Sequence, residues 1–267
     1  MVHQRHTALI TGASAGIGEA FARVFAAEGF DVILTARREE NLIKLANEIE
    51  SRYEVSAYVI VEDLSDPAAP ERLMKEIKSR GLDVDALVNN AGYGVNQTFE
   101  EADWKTHLDF MQVLSTSLMH LSHLALPHMR KQKFGWVINV ASLAGYLPGM
   151  QGGATLYTPV KAFVVRYSQA LWTEMRGTGV HVTAVCPGFT YSEFHEAMGT
   201  KDTRDKTPNL MWMDAETVAR QGFEAVMVDK PVIINGWINK SLAVLARILP
   251  EQLIFGTIDW WQGRAKK

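Results

Sequence analysis

Short apolar runs alternate along the chain with longer stretches of helical periodicity, and this alternation constrains the fold more than any other feature. In the first helical stretch Ile17, Phe21 and Val24 share one face, which suits packing against a sheet. The apolar runs are rich in β-branched residues and nearly continuous, as in strands that are covered on both faces. We predict strands at 7–11, 31–35, 56–61, 85–89, 136–141, 180–185 and 231–234. Strands separated by helices form parallel sheets, so the sequence predicts a doubly wound α/β fold.

The strands are distributed evenly along the chain. A chain of 267 residues could form one large domain or two small ones. No linker, repeat or low-complexity tract divides it, so we predict a single domain over residues 1–267. Further helices are predicted at 39–52, 68–80, 103–131, 158–177 and 214–228. A last helix begins near Asn239, and we predict a C-terminal helical extension over about 239–267.

The composition excludes several classes of protein. The formal net charge is −3, from 27 Lys and Arg against 30 Asp and Glu, and this balance lacks the basic excess typical of nucleic-acid binding. Cys186 is the single cysteine, so an internal disulfide is impossible, and we expect no metal site. No run of about 18 apolar residues predicts a membrane span. The polar start of the chain does not match a signal peptide, so we expect a cytoplasmic protein without membrane contact.

A glycine-rich turn follows the first predicted strand. Residues 11–18 are Thr-Gly-Ala-Ser-Ala-Gly-Ile-Gly and lead into the first predicted helix. Glycines permit unusual backbone angles and the close approach of a ligand, and the free N–H groups at a helix start attract phosphate. Between a strand and an amphipathic helix, such a turn predicts dinucleotide binding. The residues expected to contact the cofactor here are Gly12, Ser14, Gly16, Ile17 and Gly18.

Two arginines follow the second predicted strand. In sites that bind NAD, an acidic residue near this strand end accepts the ribose 2′-hydroxyl, whereas an arginine accommodates the 2′-phosphate of NADP. Here the strand end carries Ala36, Arg37 and Arg38. A guanidinium can bind a phosphate through two hydrogen bonds, and a carboxylate would repel it. The sequence therefore predicts NADP(H) as the cofactor.

A tyrosine and a lysine lie four residues apart at the start of the helix predicted at 158–177. This spacing places Tyr157 and Lys161 on one face. Free tyrosine has a pKa of about 10, and a neighbouring ammonium group lowers the pKa by favouring the phenolate. Ser142 follows the fifth strand, at the edge where open α/β sheets bind ligands. We predict that Ser142 holds a substrate carbonyl while Tyr157 exchanges the proton.

Over roughly residues 5–240 the chain resembles the short-chain dehydrogenase/reductase family. The motifs that match, in order, are the turn at 11–18, Asp63-Leu64, Asn89-Asn90-Ala91-Gly92, Ser142, the Tyr157-x-x-x-Lys161 pair and Pro187-Gly188. The resemblance implies a seven-stranded Rossmann-type sheet and a homodimer or homotetramer packed through long helices.

The resemblance also implies a role for each matching residue. Tyr157 is the acid/base, Lys161 contacts the nicotinamide ribose and tunes Tyr157, and Ser142 orients the substrate oxygen. Asp63 and Asn90 are implied near the adenine and its ribose. The further cofactor-binding residues of these two motifs are Leu64, Ala91 and Gly92. Pro187, Gly188 and Ser192 lie in the segment that the family places against the nicotinamide.

The sequence departs from the family pattern at several positions. Leu114 stands where the family has an Asn that supports a water relay from the lysine, and Gln112 and Ser115 are nearby polar alternatives. The interval from Ser142 to Tyr157 is two residues longer than usual, with 152–153 as the insertion. Pro159 requires a place in the first turn of its helix, where the missing N–H costs nothing. Ser192 replaces the usual Thr after Pro-Gly.

These residues favour an NADP(H)-dependent oxidoreductase that interconverts a carbonyl and an alcohol. A non-catalytic NADP(H)-binding sensor or scaffold is the alternative that Leu114 raises. Apolar residues after the sixth strand leave two interpretations open: an apolar lid over a bulky, hydrophobic small-molecule substrate, and packing in the core or at a dimer interface. These residues are Met198, Met211, Trp212 and Met213.

Overall fold

A seven-stranded parallel sheet forms the centre of the molecule. The structure, a computed structural model, describes residues 5–149, 155–191 and 207–250. The sheet strands are β1 (Thr7–Thr11), β2 (Asp31–Ala36), β3 (Ala57–Val61), β4 (Ala86–Asn89), β5 (Gly135–Val140), β6 (Val180–Cys186) and β9 (Val232–Ile234). Their spatial order is β3-β2-β1-β4-β5-β6-β9. The direction of winding therefore reverses between β1 and β4, and a crevice for a ligand is expected there.

Helices cover both faces of this sheet. One face carries α1 (Gly16–Ala27), α2 (Glu39–Arg52) and α7 (Ala215–Met227). The other carries α3 (Ala69–Ser79), α4 (Trp104–Met111), α5 (Ser117–Gln132) and α6 (Tyr157–Met175). Each face has its own apolar core, with Phe21, Phe25 and Phe223 on the first and Leu73, Phe110 and Val164 on the second. The structure thus confirms the doubly wound α/β fold, because buried strands need apolar cover on both sides.

The last described helix packs differently from the others. Helix α8 (Trp237–Ile248) buries only Asn239 and Ala243 and lies against the 3-10 turn at Leu143–Tyr146. It begins two residues earlier than predicted, and the rest of the predicted C-terminal extension lies outside the described residues. Within the described ranges, each helix lacks the length or the apolar run that a membrane span needs.

The helix predicted at 103–131 is interrupted. A π-helical segment over Gln112–Thr116 separates α4 from α5, so the prediction of one continuous helix was wrong. Periodicity did not reveal the interruption because the π-helical segment spans only 5 residues, about one turn, which is too short to give a period of its own.

Two short strands were also missed. β7 (Phe189–Thr190) and β8 (Trp212–Met213) pair in parallel as a separate two-stranded sheet. Each spans only two residues, which is too short for an alternating pattern to identify.

Candidate active site

The predicted site residues meet at one edge of the sheet. Because all seven strands are parallel, their carboxyl ends lie together. The segments that follow five of these ends contain Gly12, Arg37, Asn90, Ser142 and Pro187. Topology thus brings together residues that are far apart in sequence.

The glycine-rich turn has the shape that a phosphate group requires. Gly12 has a φ of +64°, and a Cβ there would lie 2.9 Å from the Ala91 Cα atom. A Cβ on Gly18 would overlap the Gly12 carbonyl oxygen. Helix α1 starts at Gly16 without a side-chain cap, so its first N–H groups stay available. These features fit the pyrophosphate of a dinucleotide, because only glycine leaves the backbone this accessible.

Asn90 connects the fourth strand to the turn. Its Nδ2 donates to the Thr11 and Gly12 carbonyls at 3.0 and 3.3 Å, and Thr11 Oγ1 accepts the N–H groups of Asn90 and Ala91. Asn90 therefore holds the turn in place, a contact that the resemblance did not imply. Asp63 is exposed and accepts the Ser65 N–H at 3.0 Å.

The two arginines after β2 take different positions. Arg38 bends back over the turn, and its Nε and Nη2 donate to Ser14 Oγ at 3.2 and 3.1 Å. Arg37 is exposed, and its charge acts on the half-buried phenol of Tyr93. Together with the Ser14 hydroxyl, these cations could bind a phosphate monoester at the end of β2.

The predicted catalytic serine and tyrosine are in contact. Tyr157 is the first residue of α6, and Pro159 therefore lies in the first turn, as its missing N–H requires. Ser142 Oγ accepts the Ala144 N–H at 3.1 Å, which fixes the hydroxyl at the start of the 3-10 turn. Removal from water raises the pKa of Tyr157 to about 12, and a hydrogen bond with Ser142 opposes that rise. Tyr157 is therefore protonated near neutral pH.

Lys161 lies beneath this pair and is almost fully buried. Its Nζ donates to the Val140 carbonyl at 2.8 Å and lies 5.7 Å from the centre of the Tyr157 ring. Burial lowers the pKa of the ammonium group to about 8 because the neutral form is easier to desolvate. The sequence predicted that Lys161 lowers the pKa of Tyr157. In the structure, burial is the largest cause of the pKa shift of both groups.

Pro187 and Gly188 are held from two sides. The Leu143 N–H donates to the Pro187 carbonyl at 2.8 Å, which couples this segment to the turn after Ser142. A Cβ on Gly188 would lie 2.7 Å from Asn239 Cγ, so Asn239 packs directly behind the glycine. Ser192 and the insertion at 152–153 lie outside the described residues.

The π-helical segment places Leu114 beside the site. Leu114 is 1% exposed, and a Cβ on Gly92 would lie 3.6 Å from its Cγ. The two polar alternatives are bonded elsewhere, since Gln112 Nε2 donates to Ser117 Oγ and Ser115 Oγ donates to the Met111 carbonyl. A π-helical turn often marks a functional position in a helix, and here it coincides with the departure from the family pattern.

Some residues near the site were not predicted from the sequence. A cavity of about 320 Å³ adjoins the glycine-rich turn, and Tyr191 and Glu216 line it together with Ala15 and Gly16. Tyr191 stacks on Trp212, so the short β7–β8 ladder brings two distant segments to the turn. The sequence carried no local sign of this pairing. Among the described residues, no three His, Cys, Asp or Glu side chains converge as metal ligands.

The sheet order and the carboxyl edge define a Rossmann-type α/β protein. A family model for the short chain dehydrogenases matches residues 6–203. The chain belongs to this family of oxidoreductases.

Curated relatives agree with this assignment. Sulfoacetaldehyde reductase 2 of Chromohalobacter salexigens is 35% identical over 239 residues, which are 85% of this chain and 90% of that protein. Serine 3-dehydrogenase of Agrobacterium fabrum is 37% identical, with coverage of 70% and 73%. The NADP-dependent 3-hydroxy acid dehydrogenase YdfG of Escherichia coli is 35% identical, with coverage of 67% and 71%.

Solved structures that are similar to this chain contain the cofactor. A short-chain dehydrogenase from Sphingobium yanoikuyae in complex with NADPH is 26% identical, with a TM-score of 0.79 and coverage of 92% and 97%. Serine dehydrogenase complexed with NADP+ is 28% identical, with a TM-score of 0.73 and coverage of 85% and 93%. The cofactor of this chain is NADP(H), in agreement with the glycine-rich turn and the arginines after β2.

Proposed function

We propose that the protein interconverts a carbonyl and an alcohol, with Tyr157 as the acid and base. The observation that carries this proposal is the contact of Ser142 with Tyr157, whose ring centre lies 5.7 Å from the Nζ of the buried Lys161. Two hydroxyl groups thereby converge on one point, where they can bind a single carbonyl oxygen. Intact Ser142, Tyr157 and Lys161 also favour catalysis over a non-catalytic sensor or scaffold.

The cofactor supplies or accepts the hydride when it is bound, and the chain handles the proton. The Tyr157 hydroxyl donates its proton to the substrate oxygen as that oxygen gains negative charge. Ser142 orients the oxygen and stabilises the same charge. The phenol is the competent form for reduction, and its raised pKa keeps it protonated over the neutral range.

Lys161 has two parts in this scheme. As an ammonium group it stabilises the phenolate that Tyr157 becomes after donation. Its bond to the Val140 carbonyl fixes the side chain in the protein interior, where a charge acts more strongly than in water. A pKa near 8 also lets Lys161 exchange protons near neutral pH.

The substrate is a small carbonyl or alcohol, and the printed names of the relatives suggest its class. Sulfoacetaldehyde, serine and 3-hydroxy acids are small molecules with an acidic group near the reacting carbon. The apolar substrate expected from the sequence has less support, because Trp212 is buried against Phe189 and Tyr191. Met198 lies outside the described residues.

We also propose a homodimer or homotetramer that works in the cytoplasm. Support for self-association comes from exposed apolar side chains on α4 and α6: Trp104, which is 67% exposed, and Leu108 on α4, and Phe163 on α6. Trp104 and Leu108 lie one turn apart on the same face of α4, and contiguous exposed apolar surface is typical of protein interfaces.

Replacement of Tyr157 tests the proposed function. We expect Tyr157→Phe to reduce turnover by about two to four orders of magnitude, because a general acid contributes that range. The affinity for NADPH should barely change. The measurement is NADPH absorbance with a panel of aldehydes, ketones and their alcohols.

Tyr167→Phe is the matched control, since Tyr167 lies on the same helix and is also partly buried. Its activity should stay near that of the wild type. If Tyr157→Phe kept more than about a tenth of the activity, the role of Tyr157 would be refuted. A wild-type protein that binds NADPH and turns over nothing in the panel would favour the sensor.

A further inference from the structure

Helix α8 brings an arginine to the edge of the active site. The Arg247 guanidinium lies 4.6 Å from the centre of the Tyr146 ring. Tyr146 closes the 3-10 turn that Ser142 begins, and it lies four residues after that serine. Asn239, in the first turn of α8, is buried against Gly188. The helix is thus fixed at both ends to segments that flank the proposed catalytic residues.

The charge of Arg247 reaches the interior of the site. Burial raises the pKa of the Tyr146 phenol, and the charges of Arg247 and Arg166 oppose that rise. Burial likewise raises the pKa of the Cys186 thiol to about 12, and both Lys161 and Arg247 oppose it. Two cations from different elements therefore act on one buried thiol.

No described carboxylate balances these cations. Within residues 5–149, 155–191 and 207–250, Arg247 has no acidic partner within ion-pair distance. The largest electrostatic contributions to the pKa shifts of Tyr146 and Cys186 come from Arg247, Arg166, Lys161 and the two groups themselves, and no carboxylate is among them. A cleft with charge of one sign attracts ligands of the opposite sign and raises their local concentration.

The stacked geometry suits recognition of an anion. When a guanidinium lies over an aromatic face, its N–H groups point outward in the plane and remain free for hydrogen bonds. Arg247 is exposed, so these N–H groups are accessible from solvent. The Tyr146 ring limits the orientation of the side chain, which reduces the entropy that binding would cost.

We propose that Arg247 binds an acidic group of the substrate, a carboxylate or a sulfonate, while Ser142 and Tyr157 bind its carbonyl oxygen. This inference rests on the proposed function and names the substrate class and a residue that selects it. Carboxylate and sulfonate share the planar pairs of oxygens that a guanidinium binds through two hydrogen bonds.

Three aldehydes test the inference. Succinic semialdehyde carries a carboxylate, its methyl ester is neutral, and sulfoacetaldehyde carries a sulfonate. We expect Arg247→Gln to raise KM by about tenfold to a hundredfold for an anionic substrate, the range for loss of hydrogen bonds to a charged group. The KM for the methyl ester should change little, and kcat should stay near the wild-type value. The two acids separate carboxylate from sulfonate selectivity.

Arg166→Gln is the matched control, because Arg166 also acts on Tyr146 but donates to Gln169. It should leave all three KM values nearly unchanged. An equal rise in KM for the ester and for the two acids would show that Arg247 only positions α8, and it would overturn the inference. Unchanged kinetics with both acids would also overturn it.

A binding measurement separates this inference from the proposed function. Succinate is titrated into the wild-type protein and the Arg247→Gln variant, each in complex with NADP+. Arg247-dependent binding without reduction of any aldehyde would contradict the proposed catalysis and support the anion site. Reduction of the ester without binding or reduction of the acids would keep the catalysis and overturn the anion site.

Discussion

At the scale of single residues, the two arginines after β2 have separable tasks. Arg38 is held by Ser14 of the glycine-rich turn, whereas Arg37 is exposed beside it. Arg38 already donates to Ser14, so we expect it to shape the proposed phosphate site. Arg37 is exposed, so we expect it to supply positive charge to the phosphate of the cofactor. Arg37 is therefore the position at which cofactor preference should be most easily changed.

We expect Arg37→Asp to reverse the preference for NADP(H). The variant loses a cation and places a carboxylate where we propose that the 2′-phosphate binds, so NADPH affinity should fall by at least about tenfold. NADH should bind better than before, because the new carboxylate can accept from the ribose hydroxyl. Dissociation constants for both cofactors, from fluorescence titration, check this.

Arg52→Asp serves as the control, since Arg52 ends α2 at the opposite edge of the sheet. That variant should keep the wild-type preference. Native protein with equal affinity for NADH and NADPH would contradict the argument from Arg37.

At the scale of elements, the interruption between α4 and α5 concerns the proton route. The π-helical segment puts a leucine beside Gly92, where an amide could hold a water near the site. Gln112 donates to Ser117 in α5, and Ser115 donates to the Met111 carbonyl in α4. Within the π-helical segment, therefore, no described side chain forms a hydrogen bond with Lys161 in place of the Asn that the family has at position 114.

We expect Leu114→Asn to raise turnover by about tenfold at most, because Tyr157 itself supplies the larger part of the acid–base catalysis. In the wild type, proton transfer should limit the rate, so a solvent isotope effect on kcat should be visible and should shrink in the variant. Gln112→Leu and Ser115→Ala should leave turnover unchanged. Circular dichroism verifies folding first, since Leu114 is buried.

The opposite pattern would refute this account. If Leu114→Asn is neutral or harmful and one of the other two variants slows the enzyme, that polar residue carries the relay. If none of the three changes turnover, neither route describes this protein.

At the scale of the whole molecule, the two edges of the sheet have different tasks. The carboxyl edge gathers the proposed site, whereas the amino edge carries a buried polar cluster around Asp85. This carboxylate accepts the Thr7 N–H at 2.8 Å and Gln132 Nε2 at 2.7 Å, and His128 Nε2 lies 3.1 Å away. The cluster connects β1, β4 and α5 at a distance from the chemistry.

We expect Asp85→Asn to lower the free energy of unfolding by about 1–3 kcal/mol at neutral pH, because buried partners lose a charged acceptor. Burial raises the pKa of Asp85, but hydrogen bonds from Gln132, Thr7 and His128 outweigh it and the net pKa is lowered. Because the pKa of Asp85 is lower in the folded state, its ionised carboxylate stabilises the folded state at pH values above its pKa in the unfolded chain, which is about 4. This stabilisation is lost as the pH falls through the lower pKa that Asp85 has in the folded state.

The difference between wild type and variant should therefore shrink in acid, as urea unfolding at neutral and acidic pH would measure. Asp66→Asn is the control, since Asp66 is exposed and its pair with Arg72 is open to solvent. An equal loss of stability in both variants, or a difference that does not depend on pH, would contradict the role of Asp85. Activity should persist in Asp85→Asn while it is folded.

The sequence by itself determined the parallel sheet, the glycine-rich turn, the arginines and the Ser142–Tyr157–Lys161 set. These features depend on local periodicity or on backbone conformations that only a few residue types adopt. Tertiary structure decided the π-helical turn at Leu114, the pairing of β7 with β8 and the approach of Arg247 to Tyr146. The last two of these features join segments far apart in the chain. The free energy of such contacts comes from packing and charge between residues whose pairing cannot be read from their spacing in the sequence.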